Sequence, residues 1–228
     1  MWSPKRRTVP HESDQEDAAA ERVIRIAPER LGRWLNGFAE RHGAMSVASD
    51  AFHVTIGGSD GAGAVITVTF PPLPSSSDPI TALLAHASRE RQVGALLVRK
   101  GGYAVGVFSG RRLIRSKVGS AYVQGKTKAG GWSQQRYARR RQNQTAKAYA
   151  AAADVASTVL LPAVDEVSAV FLGGDRTAVT TVLADPRLAT VRAKSSPDVL
   201  AVAEPRLAVL RAFPDEFLAI SIRLNRLA

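Results

Sequence analysis

Apolar and polar positions change period repeatedly along the chain, and each change marks an element. RVIRIA (22–27) alternates as a short strand does. In PERLGRWLNGFAERHG, Leu31, Trp34, Leu35 and Phe38 recur at i, i+3, i+4 and i+7. Pro28 suits the first turn and Gly43 the end, so a helix is predicted there. FHVTI (52–56) and AVITVTF (64–70) alternate on either side of the turn-rich GGSDGAG, the pattern of a hairpin. PPLPSSSDP (71–79) has no period; it is a linker or a long loop of one domain.

Beyond it, ITALLAHASRER (80–91) has the spacing of an amphipathic helix. VGALLVR (93–99), YAVGVFS (103–109) and RRLIRSKV (111–118) read as three strands. Lys100-Gly101-Gly102 and Gly110 supply the tight turns, which predicts an antiparallel meander. A long helix is expected from Ser133, as N-cap, to about Leu161, where Pro162 stops it. Its apolar face strengthens along Ala148, Ala152, Val155 and Val159. VSAVFLGG (167–174) reads as a buried strand and RTAVTTVLA (176–184) as a helix. LAVAEPRLAVLRAF (200–213) reads as a further strand and helix, and AISIRL (219–224) as a last strand. The likeness of DPRLATV (185–191) to EPRLAVL (204–210) needs only an acid-Pro helix start in each, not a repeat.

This order predicts an α/β protein: a mixed sheet with helices, preceded by a small αββ part. The division expected is a disordered tail (1–21), an N-terminal βαββ part (22–70), a linker (71–79) and a main domain (80–228). At 228 residues with 45% hydrophobic content the chain can bury a real core. No apolar run reaches the ~18 residues of a membrane span, and MWSPKRRTVPHESDQEDAAA holds no signal-peptide core, so a cytoplasmic location is expected. With no cysteine, disulfides, thiolate metal sites and cysteine nucleophiles are excluded.

Charge changes the picture most. The net charge is +11, but residues 89–147 carry fifteen Lys/Arg and one acid, Glu90, so the remainder is mildly negative at −3. A surface serving solubility alone would interleave both signs. Such a concentration points to a polyanion, nucleic acid ahead of an anionic membrane. Alanine on the apolar side of the 133–161 helix argues against the membrane, which favours large apolar anchors. At the centre lies VQGKTKAGGWSQQRYARRR (123–141), with six Lys/Arg, three glutamines, adjacent glycines and no acid. Cations at a helix N-terminus oppose its dipole, so Arg136, Arg139, Arg140 and Arg141 are not there for the helix. A phosphate neighbour would account for them.

Catalytic options are few. His11, His42, His53 and His86 are scattered without an i, i+4 pair, and Asp165, Glu166 and Asp175 read as cap or loop residues. No metal site and no cofactor are expected. There is no phosphate-binding G-x-x-x-x-G-K-[ST] loop, no dinucleotide fingerprint and no support for a Ser-His-Asp triad. Glutamine remains. Its amide is no general base at neutral pH, but it can hold a water in line with an electrophile, and positioning alone lowers barriers.

SQQRYARRR after a glycine pair resembles the loop-to-helix passage in the central domain of eukaryotic and archaeal class I peptide-release factors. Gly130 and Gly131 match its glycines, and Arg136, Tyr137, Ala138 and Arg139 its helix start; Trp132 stands where its glutamine would be. The closer resemblance is to the Vms-like release factors, through KVGSAYVQGK (117–126), and covers about Gly94 to Leu224. It implies a ribonuclease-H-like layered domain that hydrolyses peptidyl-tRNA on stalled large ribosomal subunits. In that reading Gln124 is the catalytic amide, with Gln134 and Gln135 as alternatives. Gly119, Gly125, Gly130 and Gly131 permit positive φ or close approach to a ligand. Lys117, Lys126, Lys128, Arg136, Arg139, Arg140 and Arg141 would face rRNA and the tRNA end. Trp132 either stacks on an unpaired base or anchors the loop. The rival expectation is a non-catalytic RNA- or ribosome-binding module. Nothing in the residues requires a dimer.

Overall fold

The computed structural model describes residues 22–120 and 132–228, with the backbone alone at 132–138 and 141. The chain divides into two units, Met1–Leu84 with Ile220–Ala228, and Ala85–Ala219.

In the first unit β1 (Arg22–Ile26), β2 (Ser46–Ser49), β3 (His53–Gly57), β4 (Gly63–Thr67) and β10 (Ile220–Leu224) form one antiparallel sheet in the order β1-β10-β4-β3-β2. Alternation puts Ile24, Ile222, Ile66 and Val54 in one cross-strand row, and the last three are fully buried. The helix α1 (Leu31–His42) buries Leu31, Leu35 and Phe38, three positions of the predicted stripe. Gly43 ends it at φ 76°, its N–H donating to the Ala39 carbonyl at 2.9 Å, a conformation that favours glycine. His42 Nδ1 meets Asp60 Oδ2 at 2.8 Å and holds the Asp60 carboxyl below its usual range.

This unit departs from the expected division in two ways. The strand at 220–224 lies between β1 and β4, so the sequence assigned to the main domain supplies a middle strand of the N-terminal sheet. The reason is burial: Ile220, Ile222 and Leu224 are each at most 2% exposed there. The expected linker is also part of this unit. Leu73 is buried, and its N–H donates to the Ala51 carbonyl at 2.8 Å. The unit boundary falls after Leu84, inside α2 (Pro79–Ser88).

In the second unit β5 (Gln92–Arg99), β6 (Gly102–Ser109), β7 (Arg112–Ser120), β8 (Ala169–Gly174) and β9 (Ser195–Leu200) form a mixed sheet in the order β7-β6-β5-β8-β9. The predicted meander is antiparallel, and β8 and β9 continue from β5 in parallel. Helices cover both faces. On one, α3 (Trp132–Leu160), α4 (Arg176–Leu183) and α5 (Ala189–Ala193) bury Ala152, Val155, Ala156, Val159, Val179 and Val191 against Leu96, Val98, Val105, Val107 and Leu172. On the other, α6 (Leu207–Ala212) and α7 (Pro214–Phe217) bring Leu210, Phe213 and Phe217 beside Phe108 and Phe171. Phe217 has ring centroids 5.1 Å from Phe171 and 5.6 Å from Phe108. A sheet buried on both faces explains the near-continuous apolar runs of β5 and β6. The predicted strand at the start of 200–213 is displaced: β9 ends at Leu200, and no strand follows before α6.

Candidate nucleic-acid interface

β7 runs in the same direction as β5, β8 and β9, because it is antiparallel to β6, which is antiparallel to β5. The carboxyl ends of four strands therefore share one edge, and Ser120, the last residue before 121–131, pairs there with Gly102. In open α/β sheets such edges carry the binding residues.

β7 is an edge strand and almost wholly exposed. Val107 pairs with Arg115 and Phe108 with Leu113, so Ile114 is an extra residue, a bulge. Charge and bulging keep edge strands from pairing with other chains. Arg112, Arg115 and Lys117 are exposed and form no ion pair with an acid among the described residues. Gly119 sits in strand rather than at positive φ. It is needed for space instead: a Cβ there would strike the phenol of Tyr103, which packs on the α3 core.

α3 joins two regions. Burial begins at Ala148 and continues through Leu160. Tyr149 stands at the transition, its phenol pushed up by burial and secondarily by Asp175 just after β8. Ahead of it the helix runs on for roughly 24 Å at the helical rise. In that half Arg139, Arg140, Asn143 and Lys147 are exposed. With Gln144 they line a shallow groove of about 360 Å³. At 100° per residue these five positions fall opposite Ala148, Ala152, Val155 and Val159, on the outward side. α3 has no acid before Asp154. The helix starts at Trp132, so Ser133 lies in its first turn rather than at the cap.

Other cations in the unit have structural work. Arg111 pairs with Asp215 at 2.5 Å, and Arg99 donates to the Val202 carbonyl at 2.8 Å. Lys194 Nζ donates to the carbonyls of Val164 and Val167, tying down the turn after α3. Arg187 bridges Asp154 of α3 and Asp185 at 2.8 and 2.7 Å. Asp175 caps α4, accepting from Ala178 N–H at 2.8 Å. Gly174 before it has φ 108°, and any Cβ would collide with the Val98 carbonyl.

The site residues expected from sequence thus fall into three groups. Gln124, Gly125, Lys126, Lys128, Gly130 and Gly131 lie outside the described residues. Trp132, Gln134, Gln135, Arg136 and Arg141 belong to α3 by backbone. Lys117 and Gly119 are on β7, and Arg139 and Arg140 line the groove. Sequence reasoning passed over Asn143, Gln144 and Lys147 as site residues, although Arg139, Asn143 and Lys147 at i, i+4, i+8 are one helical row. Among the described residues no group of three His, Asp or Glu side chains is placed to hold a metal, and no helix is long and apolar enough to cross a membrane.

Comparison with solved structures finds likeness to the archaeal translation termination factor aRF1, at 14% identity and a TM-score of 0.43, over 85% of this chain and 64% of that one. A second archaeal protein is similar at 14% identity and a TM-score of 0.40, over 83% of this chain and 62% of that one. The chain spans less than two thirds of the length of either. No curated protein matches it. The family model of the Actinobacteria/chloroflexi VLRF1 release factor matches residues 91–223, which takes in the whole layered sheet, β7, α3 and the groove. With more than half its length matched, the chain belongs to the Actinobacteria/chloroflexi VLRF1 release factor family.

Proposed function

We propose that the protein hydrolyses peptidyl-tRNA trapped on stalled large ribosomal subunits, acting in the cytoplasm as a monomer without metal or cofactor. The observation that carries the reading is the family match over 91–223, on a sheet edge whose exposed cations lack acidic partners among the described residues. In this reading the basic side chains of β7 and α3 hold rRNA and the acceptor end of the tRNA. The Gln124 amide holds a water against the ester carbonyl carbon. Water oxygen adds there, the bond to the tRNA 3′ oxygen breaks, and that oxygen takes up a proton. The alternatives for the amide are Gln134 and Gln135. Glycines at 125, 130 and 131 allow backbone N–H groups to approach the developing oxyanion, and Trp132 stacks on an unpaired base.

The test is peptide release from purified large subunits carrying labelled peptidyl-tRNA. Wild type is expected to free the peptide, and Gln124→Ala to slow release roughly a hundredfold, the scale of losing one oriented transition-state contact. Binding without release by the wild type would establish the rival, a non-catalytic RNA-binding module. Release by Gln124→Ala at the wild-type rate would transfer the role to Gln134 or Gln135.

A further inference from the structure

The outward groove of α3 is not uniformly cationic. Arg139 and Lys147 bracket Asn143 in one row, and Arg140 adjoins Gln144 in the next. A surface meant only to attract phosphate would gain from a cation at every outward position, since phosphate oxygens accept hydrogen bonds and never donate. An amide has one accepting and one donating end. Its match is a group that does both. Asn143 is exposed and makes no hydrogen bond with the described residues, whereas Gln144 is already engaged within the fold.

In a nucleic-acid strand the donor-acceptor group lying between successive phosphates is the ribose 2′-hydroxyl, which distinguishes RNA from DNA. The row Arg139–Asn143–Lys147 covers roughly 12 Å at the helical rise, with the amide midway between the two cations. We propose that this row is an RNA-selective contact: Arg139 and Lys147 hold phosphates of a single strand, with Arg140 beside them, and Asn143 reads the 2′-hydroxyl between. An acidic protein partner would satisfy the cations and leave the amide without a role. The inference rests on the reading of RNA as partner, and assigns this face the task of discriminating ribose from deoxyribose.

The experiment measures binding of the full chain to a short oligouridylate and to the deoxyuridine oligomer of the same length, across a salt series. The two probes differ only in the 2′-hydroxyl. Wild type is expected to prefer the RNA by roughly three- to tenfold, the size of one net hydrogen bond. Asn143→Ala, which substitutes a better helix former at an exposed position, should bind both probes with the DNA affinity and an unchanged salt slope. Lys147→Ala should weaken both probes and flatten the slope of log K against log salt by about 0.7 for the phosphate released, while keeping the RNA preference. Equal binding of both probes by wild type would overturn the proposal, as would an Asn143→Ala variant that keeps the preference. Failure of the catalytic reading is separate: it shows in peptide release by Gln124→Ala, whereas this assay involves no peptide.

Discussion

The two halves of α3 differ as much as any two regions of the chain. Residues 148–160 are alanine and valine at the buried positions, with Ala152 and Ala156 at 0% exposure, so the helix lies close on the sheet. Residues 139–147 present arginine, lysine and amides, with none of the described side chains buried. One continuous hydrogen-bonded rod transmits the position of the first half to the second. The difference shows how a basic surface can be rigidly aimed without a core beneath it. The buried half fixes the axis, and the exposed half keeps its side chains for another molecule.

The strongest way to break the contrast is to put a charge on the wrong half. Ala156→Asp buries a carboxylate with no partner and is expected to cost more than about 4 kcal/mol, read as loss of the cooperative urea transition of the second unit. Gly119→Ala attacks the strand beside the helix. Its Cβ must displace Tyr103, at a cost of about 1–3 kcal/mol in the same measurement, relieved when Tyr103 is shortened to Leu in the double variant. The mirror change on the exposed half is Arg139→Glu with Arg140→Glu. It should leave stability within about 0.5 kcal/mol and weaken RNA binding roughly tenfold or more at low salt, measured by fluorescence anisotropy. Asp175→Ala removes the cap of α4 beside Tyr149 and should cost about 1 kcal/mol.

The smallest effect is in pH. Asp185 is held at about 2, against an ordinary 3.8, first by its hydrogen bond to the Arg187 side chain and then by the Arg187 backbone N–H. Because its folded value is depressed, this contribution is fully present above about pH 4 and is lost only as pH falls through about 2. Arg187→Ala should move the carboxyl back up, seen by NMR titration, and bring the loss of stability to higher pH. Between pH 5 and 8 the variant and wild type should show the same flat dependence from this group.

The meander, α3, β8 and α4 were legible in sequence because their apolar periods are long and their ends carry glycine, proline or a cap. β2 was not: SVAS is exposed throughout and has no apolar alternation to detect. β9 was hidden by Pro197 and its polar neighbours in SSPDVL, which an edge strand tolerates and a pattern search rejects. For AISIRL the period announced a strand but not which sheet would bury its isoleucines; that is decided by contacts far apart in the chain. The site divides similarly. The concentration of charge named β7 and the start of α3, yet the groove needed the structure, because Asn143 and Lys147 become neighbours of Arg139 only once the helix is wound and its outward side is known.

The position of β10 has a consequence for the order of events during synthesis. Gly63 donates its backbone N–H to the Asn225 side chain across 162 residues, and Ile222 completes the row with Ile66. The first sheet is begun by the earliest strands to leave the ribosome and cannot close until almost everything after them has been translated. Its exposed β4 edge must wait, unpaired, while the layered unit is made and folds in between, a high-contact-order arrangement that delays completion. A chain cut short before Ile220 would carry an intact basic helix on a protein whose first sheet lacks its middle strand.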